Sequence, residues 1–241
     1  MRRVYLQTAA SGDPLSVNTF LAGRGFADFG YEVIPFPLAE LDRLDRTPED
    51  LVVGHIGTVH RALRALGRTP PAPLQPTPAL LPFLKRRVWT TTLGQIRTLA
   101  DVPVFIKPLT GAKSFTGHVV SEFGDLVRSS AEDDDVAVLA QGVLDIVSEW
   151  RAYVIRGSVV GIAHYGGGDP LAFPDRGLVA EALAAYADAP AGFCLDVCVT
   201  SGGDTALVEV NDGYSLGNYG LPAHPYARLL EARWDEMVAH G

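Results

Sequence analysis

A carboxylate and an amide interrupt an apolar stretch near the carboxyl end of the chain. In LVEVNDGYSLGNYG, residues 207–220, Glu209 and Asn211 stand two positions apart. Side chains at that spacing lie on the same face of a β-strand. Oxygen ligands of these two kinds are preferred by Mg²⁺ and other hard cations in proteins. The pair therefore indicates one half of a cation site.

The strand before this one supplies the other half. In FCLDVCVTSGGDTALVEVN, a Gly-Gly pair at 202–203 separates two apolar runs, which is typical of a hairpin with a two-residue turn. In that register Asp196 faces Glu209, and Cys194 faces Asn211. Like charges that face each other destabilise a purely structural sheet. The sequence predicts that Asp196, Glu209 and Asn211 hold Mg²⁺. The alternative is that the two carboxylates are solvent-exposed, hydrated and apart.

A glycine-rich loop follows another apolar strand, in VFIKPLTGAKSFTGHVV, residues 104–120. Glycines let a phosphate approach the backbone N–H groups closely, while lysines add positive charge and hydroxyls add donors. The GxxxxGK[ST] pattern of a Walker loop is absent, and a flexible surface hairpin has a similar sequence, so both interpretations stay open. The candidate phosphate ligands are Lys107, Lys113, Ser114 and Thr116, with Gly111 and Gly117 in the loop.

A third segment, SEWRAYVIRGSVVGIAHY, is predicted to form a hairpin that turns at residues 156–157. In that register Glu149 faces His164 and Arg151 faces Ile162, while Glu149 and Arg151 share one face. A buried guanidinium needs a carboxylate or a phosphate as its partner. Glu149 as a structural partner and a phosphate as a ligand both fit Arg151, and neither is excluded.

The first third of the chain alternates strand-like and helix-like segments. Short apolar strands are predicted at residues 4–7, 31–36 and 51–54, and helices at 17–30 and 60–66. Strands that alternate with helices in this way favour a parallel α/β arrangement.

Six prolines lie in TPPAPLQPTPALLP, residues 69–82. Each proline lacks a backbone donor and restricts the residue before it, so neither an α-helix nor a central strand is expected there. We predict a linker that ends an N-terminal domain, residues 1–82. The second domain, residues 83–241, begins with a basic segment and then consists mostly of strands.

Composition limits the class of protein. The chain has 241 residues, of which 47% are hydrophobic and 20% charged, and its formal net charge is −8. Such a chain is globular, and its negative charge disfavours partners such as nucleic acid or an anionic membrane. Its first residues lack the long apolar segment of a secretory leader, and a membrane helix would need about 18 apolar residues in a row. The only cysteines, Cys194 and Cys198, are expected to be reduced core thiols in a cytoplasmic protein.

Taken in order, these parts resemble the ATP-grasp superfamily of ATP-dependent ligases. This chain is more similar to the short members with a compact EWR hairpin than to the biotin-carboxylase or glutathione-synthetase types. The resemblance implies an α/β (α+β) fold: a small N-terminal α/β pre-ATP-grasp domain, then an ATP-grasp fold of two α+β subdomains with antiparallel sheets. The features that carry it, over roughly residues 85–220, are Lys107-Pro108 and its loop, the strand with Gln141, the EWR strand, Asp196, and the ExN pattern of Glu209 and Asn211.

The resemblance also implies a role for each matching residue. Arg151 and Lys107 are the expected catalytic groups: Arg151 neutralises the γ-phosphate and the acyl phosphate formed from it, and Lys107 contacts the nucleotide. Asp196, Glu209 and Asn211 are again the expected Mg²⁺ ligands. Asp196 and Glu209 are also expected to bind ATP through that Mg²⁺. The other implied ATP contacts are Lys113 and Ser114 in the closing loop, Gln141, Gly142 and Val143 in the hinge strand, Asp145 near the ribose, and Arg87, preferred over Lys85 and Arg86.

The activity implied is ATP- and Mg²⁺-dependent ligation of a carboxylate to an amine through an acyl phosphate, on an amino acid or a peptide. The alternatives on the same fold are a phosphotransferase and a non-catalytic ATP-binding module. A homodimer is a candidate assembly.

The chain departs from the family pattern on the returning strand of the EWR hairpin. Many members carry a second arginine there, where this chain has His164 and Tyr165. Arg176, in the next loop, is a candidate substitute. The candidate substrate contacts, chosen by location alone, are His55, Asp212, Tyr214 and Asn218.

Overall fold

The computed structural model describes residues 1–109 and 115–239, which form three β-sheets. The first sheet is parallel, with strand order β2-β1-β3. Helix α1 joins β1 to β2, and helix α2 follows β3, as the alternating pattern predicts. The elements are β1 (Arg3–Thr8), α1 (Val17–Asp28), β2 (Glu32–Pro37), β3 (Leu51–Val53) and α2 (Ile56–Ala65).

Helix α1 begins where its sequence allows a capping box. The Ser16 hydroxyl accepts a hydrogen bond from the Thr19 amide, and the Thr19 hydroxyl accepts one from the Ser16 amide. Helix α2 begins at Ile56, four residues earlier than predicted. Its first turn contains Gly57, which weakens the helical pattern, whereas Val59, Ala62 and Leu63 are buried and position the helix.

The second and third sheets are antiparallel. The middle sheet has the order β4-β7-β5-β6, and the C-terminal sheet has the order β11-β10-β8-β9. The predicted fold class is therefore confirmed. The elements are β4 (Val88–Thr92), α3 (Leu93–Ile96), β5 (Val104–Pro108), β6 (His118–Val120), β7 (Ala137–Gly142), β8 (Ile146–Ile155), β9 (Ser158–Gly167), α4 (Arg176–Ala185), β10 (Gly192–Thr200), β11 (Thr205–Asp212) and α5 (Ala223–Ala239).

The C-terminal helix α5 completes the core of the N-terminal sheet. Tyr226, Leu230 and Trp234 of α5 are buried in one cluster with Phe26 of α1 and Leu51 of β3. Burial of large apolar side chains of this kind is the main stabilising contribution to such a core. The two ends of the chain therefore stabilise each other, and the division between residues 82 and 83 stays a prediction.

The proline-rich segment is ordered at its end. A 3₁₀-helix spans Pro78–Leu84, and Leu80 and Leu84 are buried in the cluster between the C-terminal sheet and α4. A 3₁₀ turn tolerates the prolines that exclude an α-helix. This anchor fixes the start of β4, and with it the basic segment at residues 85–87.

The β10–β11 hairpin has the predicted register at its functional end but a different turn. Asp196 pairs with Glu209, as predicted, whereas the next pair is Val197 with Leu207. Val208 is the extra residue of a β-bulge. Near the turn, the Thr200 N–H donates to the Asp204 carbonyl at 2.9 Å. The loop is therefore one residue longer than predicted, and the bulge restores the register.

The predicted register of the β8–β9 hairpin is wrong beyond its turn. Arg151 pairs with Ala163 rather than Ile162, and Glu149 pairs with Gly166 rather than His164. Bulges in β9 at Val160 and Tyr165 cause the difference, because each one shifts the pairing by one residue.

Among the described helices, none is long and apolar enough to cross a lipid bilayer.

Candidate active site

Arg151 and Asp196 form a buried ion pair at the centre of the C-terminal sheet. The Arg151 Nε and Nη2 groups donate to the two Asp196 carboxylate oxygens, each at 2.7 Å. The side chains are 9% and 1% exposed. Burial alone would lower the pKa of Arg151, but the hydrogen bonds to Asp196 hold that pKa above its ordinary value. The guanidinium is therefore charged, and Asp196, not Glu149, is the carboxylate that pairs with it.

The amide of Asn211 joins the two predicted metal-binding carboxylates. Its Nδ2 group donates to Asp196 at 2.9 Å and to Glu209 at 2.8 Å. The amide separates carboxylates that would otherwise repel each other across the strands. The convergence of Asp196, Glu209 and Asn211 predicted from the hairpin is therefore present in the structure.

Lys107 brings the middle sheet to this group. It stands near the end of β5, and its Nζ atom lies 4.0 Å from the Glu209 Oε2 atom. Both side chains are partly exposed to solvent, so this contact is weak. The contact shows that Lys107 of the middle sheet and Glu209 of the C-terminal sheet face the same cleft between the two antiparallel sheets.

The donor set suits a divalent cation in its chemistry, with one rearrangement. Within residues 1–109 and 115–239, no three His, Cys, Asp or Glu side chains lie close enough together to hold an ion. The set therefore depends on Asn211, whose amide has to turn its oxygen toward the ion. When the Asn211 amide turns, the second lone pair of the Asp196 Oδ2 atom is free for an ion while Arg151 stays bonded, and Glu209 is already open to solvent.

The predicted hinge residues lie where the middle sheet passes to the C-terminal sheet. Gln141 is buried, and the Gly142 N–H donates to the Arg87 carbonyl at 2.9 Å. Val143 is exposed. The Asp145 carbonyl accepts from the Ser201 amide at 2.9 Å, so the Asp145 segment is held beside the β10–β11 turn.

The three residues of the basic segment have different surroundings. Arg86 donates to the Gln141 side chain at 2.6 Å, and to the carbonyls of Leu207 and Val208 at 2.7 Å each. Arg86 therefore fixes the bulge that sets the position of Glu209.

Arg87, the predicted nucleotide contact, is more exposed. Its guanidinium lies 4.1 Å from the ring centroid of Trp89 and reaches Asp101 at 3.5 Å. Lys85 approaches Asp204 at 3.4 Å. Each of these two contacts to an aspartate is exposed and weak, so Arg87 can turn to another partner at little energetic cost.

Two of the predicted phosphate ligands, Lys113 and Ser114, lie outside the described residues. Gly117, which is described, lies close to β5. A Cβ atom added to Gly117 would lie 2.7 Å from the Phe105 ring and 3.3 Å from the Ile106 carbonyl oxygen, so the ring would have to move. The absence of a side chain at Gly117 thus allows its backbone to lie close to β5.

Two tyrosines that the sequence reasoning missed lie against Arg151. Tyr165 and Tyr219 are stacked, with 5.1 Å between the ring centroids and 24° between the planes. The Arg151 Cζ atom lies 5.4 Å and 4.9 Å from the two centroids, within the range of a cation–π contact. Tyr165 reaches this face because it is a bulge residue, and Tyr219 does so from a backbone with φ of 45°. Neither feature has a sequence signal in this chain.

Glu149 lies on the same face as Arg151, beside Tyr165. The Tyr165 hydroxyl donates to its carboxylate at 3.4 Å. Burial, and then the negative charge of Asp196, raise the pKa of Glu149. Burial also raises the pKa of Tyr165. The site therefore has a third carboxylate that the metal pattern does not include.

His164 and Arg176 lie on the opposite face of the sheet. His164 packs edge-on against Trp150, and the Arg176 guanidinium lies 5.5 Å from the Phe173 ring centroid. Arg176 lines a separate groove of about 940 Å³ between β9 and α4. Neither residue replaces a second arginine beside Arg151, because the bulges of β9 point Tyr165 there instead.

The residues chosen as substrate contacts have structural partners. Asp212 receives two 2.6 Å hydrogen bonds from the buried Arg233 guanidinium. Tyr214 contacts His60 at 2.7 Å. Asn218 is buried, and His55 is exposed at the start of α2. The Tyr214–His60 contact, and the 2.9 Å hydrogen bond from the Asn218 backbone N–H to the Asn18 side chain, join the N-terminal part to the loop that carries Tyr219.

Comparison with known proteins agrees with this architecture. The model of the ATP-grasp domain family, R2K clade family 2, matches residues 83–229. No match is found among curated protein sequences.

Solved structures with the same fold span nearly the whole chain. A D-alanine–D-alanine ligase from Bacillus anthracis, complexed with ATP, has a TM-score of 0.58 at 17% identity, covering 99% of this chain and 97% of that one. A RimK domain ATP-grasp protein from Sphaerobacter thermophilus has 0.55 at 19%, covering 98% and 99%. The ATP-grasp ligase PsnB, complexed with precursor peptide PsnA2 and AMPPNP, has 0.54 at 13%, covering 96% and 97%. At these identities the similarity concerns the fold.

Proposed function

This chain belongs to the ATP-grasp domain family, R2K clade family 2, and we propose that it is an ATP-dependent ligase that joins a carboxylate to an amine through an acyl phosphate. The observation that carries the proposal is the line of contacts from Lys107 through Glu209, Asn211 and Asp196 to Arg151. Phosphoryl transfer requires cations that neutralise phosphate oxygens and carboxylates that hold the accompanying Mg²⁺. The line brings both kinds of group into one cleft.

The side chains act by positioning and by neutralising charge. A substrate carboxylate attacks the γ-phosphate and ADP leaves, while Arg151 and Lys107 disperse the negative charge that develops. The amine then displaces phosphate from the acyl phosphate and forms the carbon–nitrogen bond. When Mg²⁺ is bound by Asp196, Glu209 and Asn211, it supplies further positive charge beside the phosphates.

The nucleotide base is proposed to bind at the connection between β7 and β8. The backbone of Gln141, Gly142 and Val143 leads from one sheet to the other there, and Asp145 immediately precedes β8, six residues before Arg151. ATP bound in this orientation has its adenine and ribose near the hinge and its γ-phosphate near Arg151. Arg87, Lys113 and Ser114 are proposed to be further contacts to the nucleotide.

The carboxylate substrate is proposed to be an amino acid or a peptide. The stacked pair of Tyr165 and Tyr219 forms a wall beside Arg151, and Tyr219 is half exposed, so a ligand can reach it. Among proteins with this fold, one is a D-alanine–D-alanine ligase and another is complexed with a precursor peptide. The carboxylate of an amino acid and that of a peptide are both consistent with a position next to this aromatic wall.

The test of this function is ATP turnover in site variants, combined with product identification. Glu209→Gln and Asn211→Ala are expected to abolish Mg²⁺-dependent ADP formation while circular dichroism shows an intact fold. Glu181→Gln, an exposed carboxylate on α4, is the matched control and should keep full turnover. Normal turnover in both site variants would contradict the proposal.

The product distinguishes the ligase from its alternatives. Amino acids and peptides are screened by mass spectrometry for ATP-dependent condensation. ADP with a phosphorylated product, and no condensation with any amine supplied, would indicate a phosphotransferase. Tight ATP binding without turnover would indicate a non-catalytic module.

The division of the chain at residues 82 and 83 is also proposed. The family match begins at residue 83, inside the 3₁₀-helix Pro78–Leu84, whose Leu80 and Leu84 side chains are buried in the core of the second part. The N-terminal part, residues 1–82, then covers one side of the substrate site through its contacts with the loop that carries Tyr219.

A further inference from the structure

The groove between β9 and α4 lies on the face of the C-terminal sheet that points away from the candidate active site. Val179 and Ala182 pack α4 onto the core of this sheet, whereas β9 is an edge strand that α4 leaves partly uncovered. Ala180 and Ala184 of α4 line the gap, and their side chains are too short to fill it. The β9–α4 groove is lined by residues within 156–162 and 173–191 and by Glu236, and its volume is about 940 Å³.

The middle of the β9–α4 groove is apolar. Val160 and Ile162 of β9 line one side, and Leu183 of α4 lines the other. Val160 is 37% exposed to solvent. Covering exposed apolar surface of this kind is favourable, and the groove is of a size that binds small organic ligands in other proteins.

An arginine lies at each end of the groove. Arg176 is the first residue of α4, and its guanidinium lies 5.5 Å from the ring centroid of Phe173. Arg156 lies at the other end, because its backbone N–H donates at 2.8 Å to the carbonyl of Ala191, which follows the end of α4. The ten residues of α4 span about 15 Å, which sets the approximate length of the groove.

These two arginines give the groove a positive charge. Within residues 1–109 and 115–239, neither Arg156 nor Arg176 forms an ion pair with a described carboxylate. Glu236, the one carboxylate among the described lining residues, is bonded to Arg233 at 2.7 Å, and the neighbouring Asp175 caps α4. The formal charge of the whole chain is −8, so a positive groove stands out electrostatically and favours an anionic ligand.

The backbone at Arg156 is a second indication of function at the groove. Arg156 has φ of 46° and Gly157 has φ of 75°, so both central residues of the β8–β9 turn are left-handed. Glycine, asparagine and aspartate are the residues that favour such positions, and a side chain of another type is disfavoured there by about 1–2 kcal/mol. Unfavourable backbone conformations of this kind are concentrated at functional positions.

The edge of β9 does not favour a polypeptide as the occupant. An added strand needs a regular row of backbone donors and acceptors along the edge. The bulge at Val160 interrupts that row inside the groove, and the bulge at Tyr165 interrupts it again. A small molecule held by side chains needs no such row.

We propose that the β9–α4 groove is a second ligand site, which binds an elongated organic anion with an apolar body and a carboxylate or similar group at each end. One anionic group pairs with Arg156 and the other with Arg176, while the body covers Val160, Ile162 and Leu183. The site lies on the opposite face of the sheet from Arg151, so the inference goes beyond the proposed function and does not depend on it.

The test measures binding of sebacate, a ten-carbon dicarboxylate, to the full-length chain by calorimetry without ATP or Mg²⁺. Sebacate should bind at least about tenfold more tightly than succinate, whose four carbons bury less apolar surface and do not span the groove. Arg156→Met and Arg176→Met should each weaken sebacate binding by about fivefold, because a charged hydrogen bond at a partly solvated site is lost. Ala180→Phe fills the groove without changing its charge and should abolish binding.

A matched control separates the groove from the general effect of charge. Arg64→Met removes an exposed guanidinium from α2, beside the N-terminal sheet, and should leave sebacate affinity within about twofold of the wild type. The substituted positions 64, 156, 176 and 180 are all exposed, so circular dichroism should show an intact fold in each variant.

Three results would overturn the proposal, whether or not ligation is observed. The first is an absence of saturable sebacate binding to the wild type, or equal binding to the wild type, Ala180→Phe and both arginine variants. The second is a wild-type dimer that Ala180→Phe dissociates in analytical ultracentrifugation, which would assign the groove to a second copy of the chain. The third is tighter binding of an acidic pentapeptide than of sebacate, which would assign it to a polypeptide.

Discussion

Arg151 on β8 and Asp196 on β10 face each other across neighbouring strands, and two hydrogen bonds of 2.7 Å join them. The sequence assigned these residues to separate tasks, a phosphate contact and a metal ligand. The structure makes them a single buried unit, so a change to either residue affects both tasks.

Removing one member of this pair should destabilise the protein strongly. Asp196→Asn or Arg151→Met alone is expected to cost about 3–5 kcal/mol, because it leaves an uncompensated buried charge. The double variant should cost less than the sum of the two. Urea unfolding, followed by circular dichroism, measures all four members of this cycle. Costs that simply add would show that the pair contributes no coupling energy.

The part of the site set by local pattern was predictable, and the part set by packing was not. Alternation along two adjacent strands correctly paired Asp196 with Glu209, although the predicted turn was one residue too short and the bulge at Val208 compensated for it. The pairing of Arg151 with Asp196 requires knowledge that β8 lies beside β10, which local patterns do not specify. The bulge at Tyr165 depends likewise on packing across the sheet, and so its place beside Arg151 was missed.

The loop at Tyr219 allows the role of its ring to be separated from backbone strain. With φ of 45°, Tyr219 adopts a left-handed conformation that disfavours residues with a Cβ atom by about 1–2 kcal/mol. Tyr219→Ala and Tyr219→Gly both remove the ring beside Arg151, and both should lower ADP formation. Thermal unfolding should show that the glycine variant is the more stable of the two. Equal loss of activity in Tyr219→Phe would instead assign the effect to the hydroxyl.

Glu149 gives stability a dependence on pH. Because burial and the charge of Asp196 raise its pKa in the folded chain, the folded state binds the proton more tightly than the unfolded state does. The stabilisation from this group is present at low pH and is lost as the pH rises through the folded-state pKa. The groups that face Glu149 are Tyr165, Asp196 and Glu209.

Replacing Glu149 therefore tests the sign of this effect. Glu149→Gln should raise the melting temperature relative to wild type at pH 7–8, and the difference should shrink as the pH falls toward about 4. Calorimetry across that range measures it. A variant less stable than wild type at pH 8 would show that the ionised carboxylate is stabilising where it lies.

Arg86 and Arg87 are adjacent in sequence, but replacing each with methionine should affect stability and turnover differently. Arg86 donates to the bulge carbonyls of Leu207 and Val208, and so Arg86→Met leaves these acceptors without their donor, at a cost of about 1–3 kcal/mol for each unsatisfied buried group. The bulge fixes Glu209, so Mg²⁺-dependent turnover should fall together with stability.

Arg87→Met should change the unfolding free energy by less than about 0.5 kcal/mol, as is usual for surface sites, and should raise the KM for ATP if Arg87 contacts the nucleotide. Urea unfolding and ATP kinetics of the two variants, measured side by side, check both expectations. An unfolding free energy that falls equally in both variants would contradict the structural role given to Arg86.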